Sequence, residues 1–202
     1  MAKLESPSAE RNKLPIWEQV MQGRLLPTFV EHHDSTTPLQ VLEVAAGCGV
    51  HTQFWAQQLA ARGIAAVWQS TDPEASSLAS QEAYIDEIAD DAKDCWKKHG
   101  TVQFAKPRFL TLNANGIQEA ETEAALADSS FDWIWNVNMI HISPWSATQG
   151  LMKMAGRKLK PGTGRLILYG PYRVKGSMVE SNEYVVVVLC RVSVASGKVV
   201  SV

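Results

Sequence analysis

Cysteine is scarce: Cys48, Cys95 and Cys190 are the only three in 202 residues. They are odd in number, widely spaced and free of any Cys-x-x-Cys pair, which excludes a disulfide framework and a zinc-holding cysteine pair. A reducing, cytosolic setting is expected. An excess of positive charge is missing too. Lys and Arg total 19 against 21 Asp and Glu, for a net charge of −2 and a pI of about 6.2. Proteins that grip a polyanion carry a basic surplus, so nucleic acid is not expected as the main partner. Long apolar runs are absent: the longest, residues 184–190, falls far short of the ~20 needed to span a bilayer. Residues 1–13 are polar and mixed in charge, unlike a secretory signal. The pair His32-His33 lacks a third ligand at metal spacing, so no metal is expected. There is no repeat and no low-complexity linker.

What remains is an ordinary apolar content of 46%, enough for one compact domain with a core on both faces of a sheet. Residues 1–38 read as a helical extension, with Pro15 in the first turn of a helix ending near Leu26. An alternation of strand and helix follows. Strands are expected at 41–45, 65–70, 109–112, 131–139 and 165–169. Helices are expected at 53–61, stopped near Gly63, and at 74–98, with Leu78, Ile85 and Ile88 on its apolar face. A last helix starts at Ser143-Pro144, Ser capping and Pro in the first position, and stops before Pro161-Gly162. Strands apolar throughout belong to a parallel sheet covered by helices on both sides. The fold class is therefore α/β, doubly wound and Rossmann-like.

Ligands of such sheets bind at the carboxyl ends of the strands. The first strand ends in Glu43-Val44-Ala45-Ala46-Gly47-Cys48-Gly49-Val50-His51. Gly47 and Gly49 permit a sharp turn and a close backbone approach. Thr52 stands where a dinucleotide fingerprint needs a third glycine, and no phosphate-cradling Lys follows, so the nicotinamide and P-loop readings weaken. Asp72, about 25 residues after Gly47, has the spacing of a ribose-binding carboxylate; it also suits a helix cap before Pro73, and the two roles are compatible. Asn113 offers an amide to an adenine rim or simply closes an Asn-Gly turn. Asn136 and Asn138 sit in an apolar strand, where a polar side chain is costly unless hydrogen-bonded. His141 could serve as a base or merely be hydrogen-bonded. Tyr169 and Tyr172 flank a rigid Gly-Pro turn and could orient a substrate, or pack over the strand end. Trp68, Trp133 and Trp135 read as core.

Several segments together resemble the methyltransferase-like protein 26 family: residues 6–13 (Ser-Pro-Ser-Ala-Glu-Arg-Asn-Lys), the loop at 41–51, Trp68 to Asp72, 138–144 (Asn-Met-Ile-His-Ile-Ser-Pro) and Tyr169-Gly170-Pro171-Tyr172. The resemblance covers residues 6 to about 183. It implies a class I methyltransferase fold and S-adenosylmethionine as cofactor, contacted by Glu43, Gly47, Gly49 and Asp72, with Ala45, His51, Asn113, Asn136 and Asn138 around it. It also implies that Arg11, Asn12 and the Tyr169–Tyr172 turn lie near the substrate pocket. Many members carry Asp where this chain has Asn113. No acceptor is implied; a small molecule is the expectation, with His141, Tyr169 or Tyr172 handling its proton. The chain shows no Ser-His-Asp or Cys-His arrangement, as suits a reaction needing no protein nucleophile. A non-catalytic, cofactor-binding or partner-binding remnant is the alternative.

Residues 184–202, a Val-rich tail, resemble no family segment. An alternative chain end is expected there, with the last sheet strands missing or replaced. The fifth strand is then an exposed apolar edge, paired with the Val-rich run or with a second copy.

Overall fold

The computed structural model describes residues 3–27, 29, 37–91, 102–171, 173–174, 177–178, 190–192 and 199–201. His32, His33, Tyr172 and the expected end of the helix beyond residue 91 lie outside them.

The chain becomes helical earlier than the reading from Pro15 places it. Ser6 caps α1 (Pro7–Ile16): its Oγ accepts from the Ala9 N–H at 3.4 Å, and Pro7 occupies the first turn, where no N–H is needed. Ser6-Pro7 is thus the start signal, and Pro15 lies inside the helix. Pro15 has no N–H for the carbonyl four residues back, and from Trp17 the hydrogen-bond ladder widens into a π-helical stretch, Trp17–Leu25. Trp17, Val20, Met21 and Leu25 are its buried residues.

Next come β1 (Leu39–Val44), α2 (Val50–Ala61), β2 (Ala66–Asp72), α3 (Ala75–Asp91), β3 (Val102–Phe104) and β4 (Arg108–Phe109). A hairpin of β5 (Leu112–Asn113) and β6 (Gly116–Ile117) leads to α4 (Ala120–Ala125), β7 (Trp133–Val137), α5 (Trp145–Lys158) and β8 (Arg165–Tyr169). Short pairs β9 (Arg173–Val174) with β10 (Ser177–Met178), and β11 (Cys190–Val192) with β12 (Val199–Ser201), complete the described chain.

The main sheet runs β12-β11-β8-β7-β1-β2-β3, with β4 continuing the edge along β2. All pairings from β8 to β3 are parallel; β11 joins β8 antiparallel. The expected doubly wound α/β sheet is what the chain forms. Chain order reverses direction between β1 and β7, and the C-terminal ends there are where such a sheet opens a crevice.

Alternation along the strands fills both faces. Leu39, Val41, Trp133, Trp135, Ile167 and Tyr169 join one core cluster beneath the π-helical stretch and α2; Leu42, Val44, Ile134, Leu166 and Leu168 join another with Leu151, Met154 and Ala155 of α5. Trp55 sits at the centre of the first, with ring centroids 4.8 Å from Trp135 and 6.4 Å from Trp68.

Two expectations shift and a third is narrowed. The third strand, expected at 109–112, is split into β3 and β4 because Pro107 cannot donate to a ladder, and Leu112 belongs to the hairpin instead. That hairpin lies so close under α5 that a Cβ on Gly150 would come within 2.1 Å of the Asn113 carbonyl oxygen. The α5 start has Pro144 in the cap position with no side-chain bond, so Ser143 does not cap. Finally, of the two partners expected for the edge of the fifth strand, it is the tail that reaches it: Arg165 and Leu166 of β8 pair with Arg191 and Cys190.

Candidate functional site

Three of the five residues between β1 and α2 take the left-handed backbone: Ala45 (φ 55°), Gly47 (φ 59°) and Gly49 (φ 103°). Glycine tolerates this freely, whereas Ala45 holds it under strain of the kind that clusters at ligand sites. At Gly49 the requirement is also steric, since a Cβ would stand 3.0 Å from Gln81 Cα of α3. At Gly47 a Cβ would meet nothing within 4 Å. The loop therefore presents bare backbone to open space at Gly47 and packs tightly at Gly49.

Side chains from two elements, β2 and α3, hold this loop. Asp72, at the end of β2, accepts from the Gly47 N–H at 2.8 Å through Oδ2 and from the Glu74 N–H at 3.0 Å through Oδ1. It is 5% exposed, and burial raises its carboxyl above the usual range against the pull of the Glu74 and Gly47 N–H groups and Ser77. Both roles read for Asp72 are thus geometrically open: it ties the turn, and of its roughly four lone-pair sites the Gly47, Glu74 and Ser77 bonds leave one. Ala46 N–H donates to Thr71 O at 2.9 Å, and Thr71 Oγ1 donates to Glu43 O at 2.9 Å.

Glu43 lies beneath the loop at 1% exposure. Its Oε2 accepts from Thr52 Oγ1 at 2.7 Å and from Trp68 Nε1 at 3.0 Å, while Oε1 is buried without a partner. Burial drives the carboxyl up to about 7, opposed by the Thr52 and Trp68 bonds and aided by Asp72. Thr52, read as a missing glycine, and Trp68, read as core, are the residues that hold this carboxylate.

His51 follows on the first turn of α2, stacked on Trp55 with ring centroids 4.5 Å apart. Its Nε2 is 2.7 Å from Asn12 Oδ1 of α1. Burial, with a smaller push from Lys13, lowers its pKa to about 3. The ring is neutral, and Nε2 carries the proton that Asn12 Oδ1 accepts. The same helix gives the Lys13 carbonyl to Trp55 Nε1 at 3.0 Å. Asn12 and His51 meet each other, so α1 is fixed against the start of α2.

The remaining expected residues scatter. Asn136 is fully buried; its Nδ2 donates to Val44 O at 3.0 Å and reaches Met139 Sδ at 3.3 Å, while Oδ1 is unpartnered. Asn138 has φ 58°, and its N–H donates to Tyr169 O at 2.8 Å, locking the ends of β7 and β8 together. Asn113 turns its Oδ1 to the Asn115 N–H at 2.8 Å, closing the hairpin. Tyr169 is 4% exposed and packs in the first core cluster, because its position in β8 points it into that face; it is not presented at the strand edge. His141 and Arg11 are exposed. Beside His141, Ile142 and Trp145 are 78% and 70% exposed, an apolar rim on the loop after β7.

Two residues went unread: Ser80 and Gln81, each 0% exposed on α3. Gln81 Nε2 donates to Gly47 O at 2.8 Å, and Ser80 Oγ donates to Cys48 O at 2.9 Å. The apolar period Leu78, Ile85, Ile88 hid them. Of those three only Ile88 is buried.

The donor set suits a cationic nucleoside. Gly47 lets it approach the backbone, Asp72 offers its remaining lone pair to a hydroxyl, and Glu43 has a buried oxygen still to be satisfied. Among the described residues no group of three His, Cys, Asp or Glu side chains could hold a metal ion, and no described helix is long and apolar enough to cross a membrane.

Residues 3–189 match the family described as protein of unknown function DUF938. The chain belongs to that family. The match begins before, and ends after, the 6–183 span of the resemblance above. Among solved structures, the DszA carbon methyltransferase superposes with a TM-score of 0.54 at 18% identity, over 85% of this chain and 38% of that one. The CMeT domain of the citrinin polyketide synthase gives 0.50 at 18%, over 85% and 41%. This DUF938 member therefore has the Rossmann-like methyltransferase fold, and it spans about two-fifths of the length of the structures it matches.

Proposed function

We propose that the chain is an S-adenosylmethionine-dependent methyltransferase of the methyltransferase-like protein 26 kind, acting in the cytoplasm on a small molecule rather than on nucleic acid. The observation that carries this reading is the Gly47 turn. It is a left-handed backbone position open to solvent space, tied through its N–H to a buried carboxylate at the next strand end and set over a second buried carboxyl, Glu43. The shared fold with two methyltransferases supports it.

When bound, S-adenosylmethionine supplies an electrophilic methyl group on a positively charged sulfur. Asp72 would hold a ribose hydroxyl and Glu43 the positive end, with Gly47 and Gly49 shaping the backbone around them. The protein's share is then largely orientation, which is worth roughly 7–11 kcal/mol when donor and acceptor are held in line. Exposed Ile142 and Trp145 would give the acceptor an apolar rim, and His141, exposed between them and β7, would take up its proton. Tyr169 acts through packing and through its carbonyl bond to Asn138.

Asp72→Asn keeps an acceptor for the Gly47 N–H and removes the charge. It should weaken S-adenosylhomocysteine binding at least tenfold, about 1.4 kcal/mol, measured by isothermal titration on protein shown to be folded. Equal affinity in the variant would remove Asp72 from the site. Binding with no transfer to any acceptor tested would favour the non-catalytic alternative.

A further inference from the structure

Ser80 and Gln81 put polar side chains into complete burial on α3, a costly choice unless each is satisfied by a specific partner. Both donors find their partners in the glycine loop, while Gln81 Oε1 is buried without one. Gln81 Nε2 donates to Gly47 O at 2.8 Å, and Ser80 Oγ donates to Cys48 O at 2.9 Å, so consecutive side chains of one helix hold consecutive carbonyls of the turn. Gly49 touches the same helix, with no room for a Cβ against Gln81 Cα. Ser80 Oγ has a second bond, accepting from the Leu4 N–H at 2.8 Å, and Tyr84, one turn further on, donates to Leu4 O at 3.3 Å. Ala9 of α1 packs with Cys48, Val50 and Tyr84 in a small cluster over this point.

We propose that Ser80 and Gln81 are positioning residues of the cofactor loop, and that Ser80 couples its order to that of the N-terminal segment. The proposal rests on the cofactor reading above. Two of the loop's five residues are glycine, which loses more conformational freedom on ordering than any other residue. Fixing both carbonyls before a ligand arrives lowers the ordering cost of binding. Because Ser80 bonds both Leu4 and Cys48, loosening either end loosens the other, and binding at the loop in turn tightens the N-terminal segment.

Hydrogen exchange on the ligand-free protein tests this without any cofactor. Ser80→Ala should speed exchange about tenfold or more at the Leu4 amide and in residues 46–50 together. Gln81→Met, which keeps the length and loses the amide, should speed the loop and leave Leu4 unchanged. Ser80→Thr, which keeps the hydroxyl, should restore the wild-type pattern. Titration with S-adenosylhomocysteine should show each of the first two variants about tenfold weaker than wild type. Loop exchange unchanged in both variants, or a Leu4 amide indifferent to Ser80→Ala, overturns the proposal. Wild-type protein that ignores S-adenosylhomocysteine while the exchange pattern holds overturns the cofactor reading and leaves the clamp standing.

Discussion

Glu43 and His51 lie within one helical turn of the loop and respond to burial in opposite senses. Glu43 titrates near 7 in the folded chain against 4.5 for an ordinary Glu. The unfolded chain therefore loses its proton first, and stability falls as pH rises from about 4.5 to about 7. His51 titrates near 3 against 6.5. The unfolded chain gains a proton first, and stability falls as pH drops from about 6.5 towards 3. Each effect is on the order of a few kcal/mol at full extent, and between pH 4.5 and 6.5 the two largely offset. Glu43→Gln should unmask the histidine: stability of the variant should climb with pH from 4 to 6.5, where the wild-type curve is flatter. Parallel pH–stability curves from urea melts would contradict the burial account of Glu43. Nothing in the local sequence announces either shift, because both come chiefly from burial, which only the fold supplies; at Glu43 the Thr52 and Trp68 bonds oppose it, and at His51 Lys13 adds a smaller push.

At the scale of the element, the two loop glycines should separate folding from binding. Gly49→Ala forces a Cβ to 3.0 Å from Gln81 Cα at φ 103° and should cost about 2–3 kcal/mol of stability. Gly47→Ala meets no atom within 4 Å and should cost only the left-handed strain, about 1 kcal/mol. On the proposed reading its methyl group would nonetheless stand where the cofactor approaches the backbone, so S-adenosylhomocysteine binding should fall more than tenfold in protein that melts almost normally. Thermal melts beside titrations check both; a Gly47→Ala variant that binds normally would show that the cofactor does not approach that backbone. The loop was legible because glycines, a preceding strand and a distant Asp form a local pattern. The clamp from α3 was not, since Ser80 and Gln81 read as ordinary helix polars until the fold buries them. The start of α1 was legible in principle from Ser6-Pro7, but the second proline at position 15 drew the boundary later. Pro15 is carried inside the helix, just before the ladder changes to π spacing.

For the molecule as a whole, apolar strands alternating with helices were enough to read a parallel sheet, and β8 was placed to the residue. β3 and β4 were not, because their pairing with β2 is interrupted around Pro107 and short strands leave little period to read. The tail was legible in part: pairing of the 184–202 run with the fifth strand was one of two readings, and Cys190–Val192 continues the sheet antiparallel to that strand. What joins these scales is a loop pinned by Asp72 below, by α3 at its side and by α1 through His51, with its one bare position facing out. On the proposed reading this loop receives a ligand, and the choice among nucleoside cofactors turns on Thr52. That residue occupies the third-glycine position and bonds Glu43. The deciding measurement is isothermal titration of the wild-type chain with S-adenosylhomocysteine and, separately, with NAD. Micromolar heat from the first and none from the second is the predicted result. Binding of NAD in its place, or of neither by folded protein, would contradict the account.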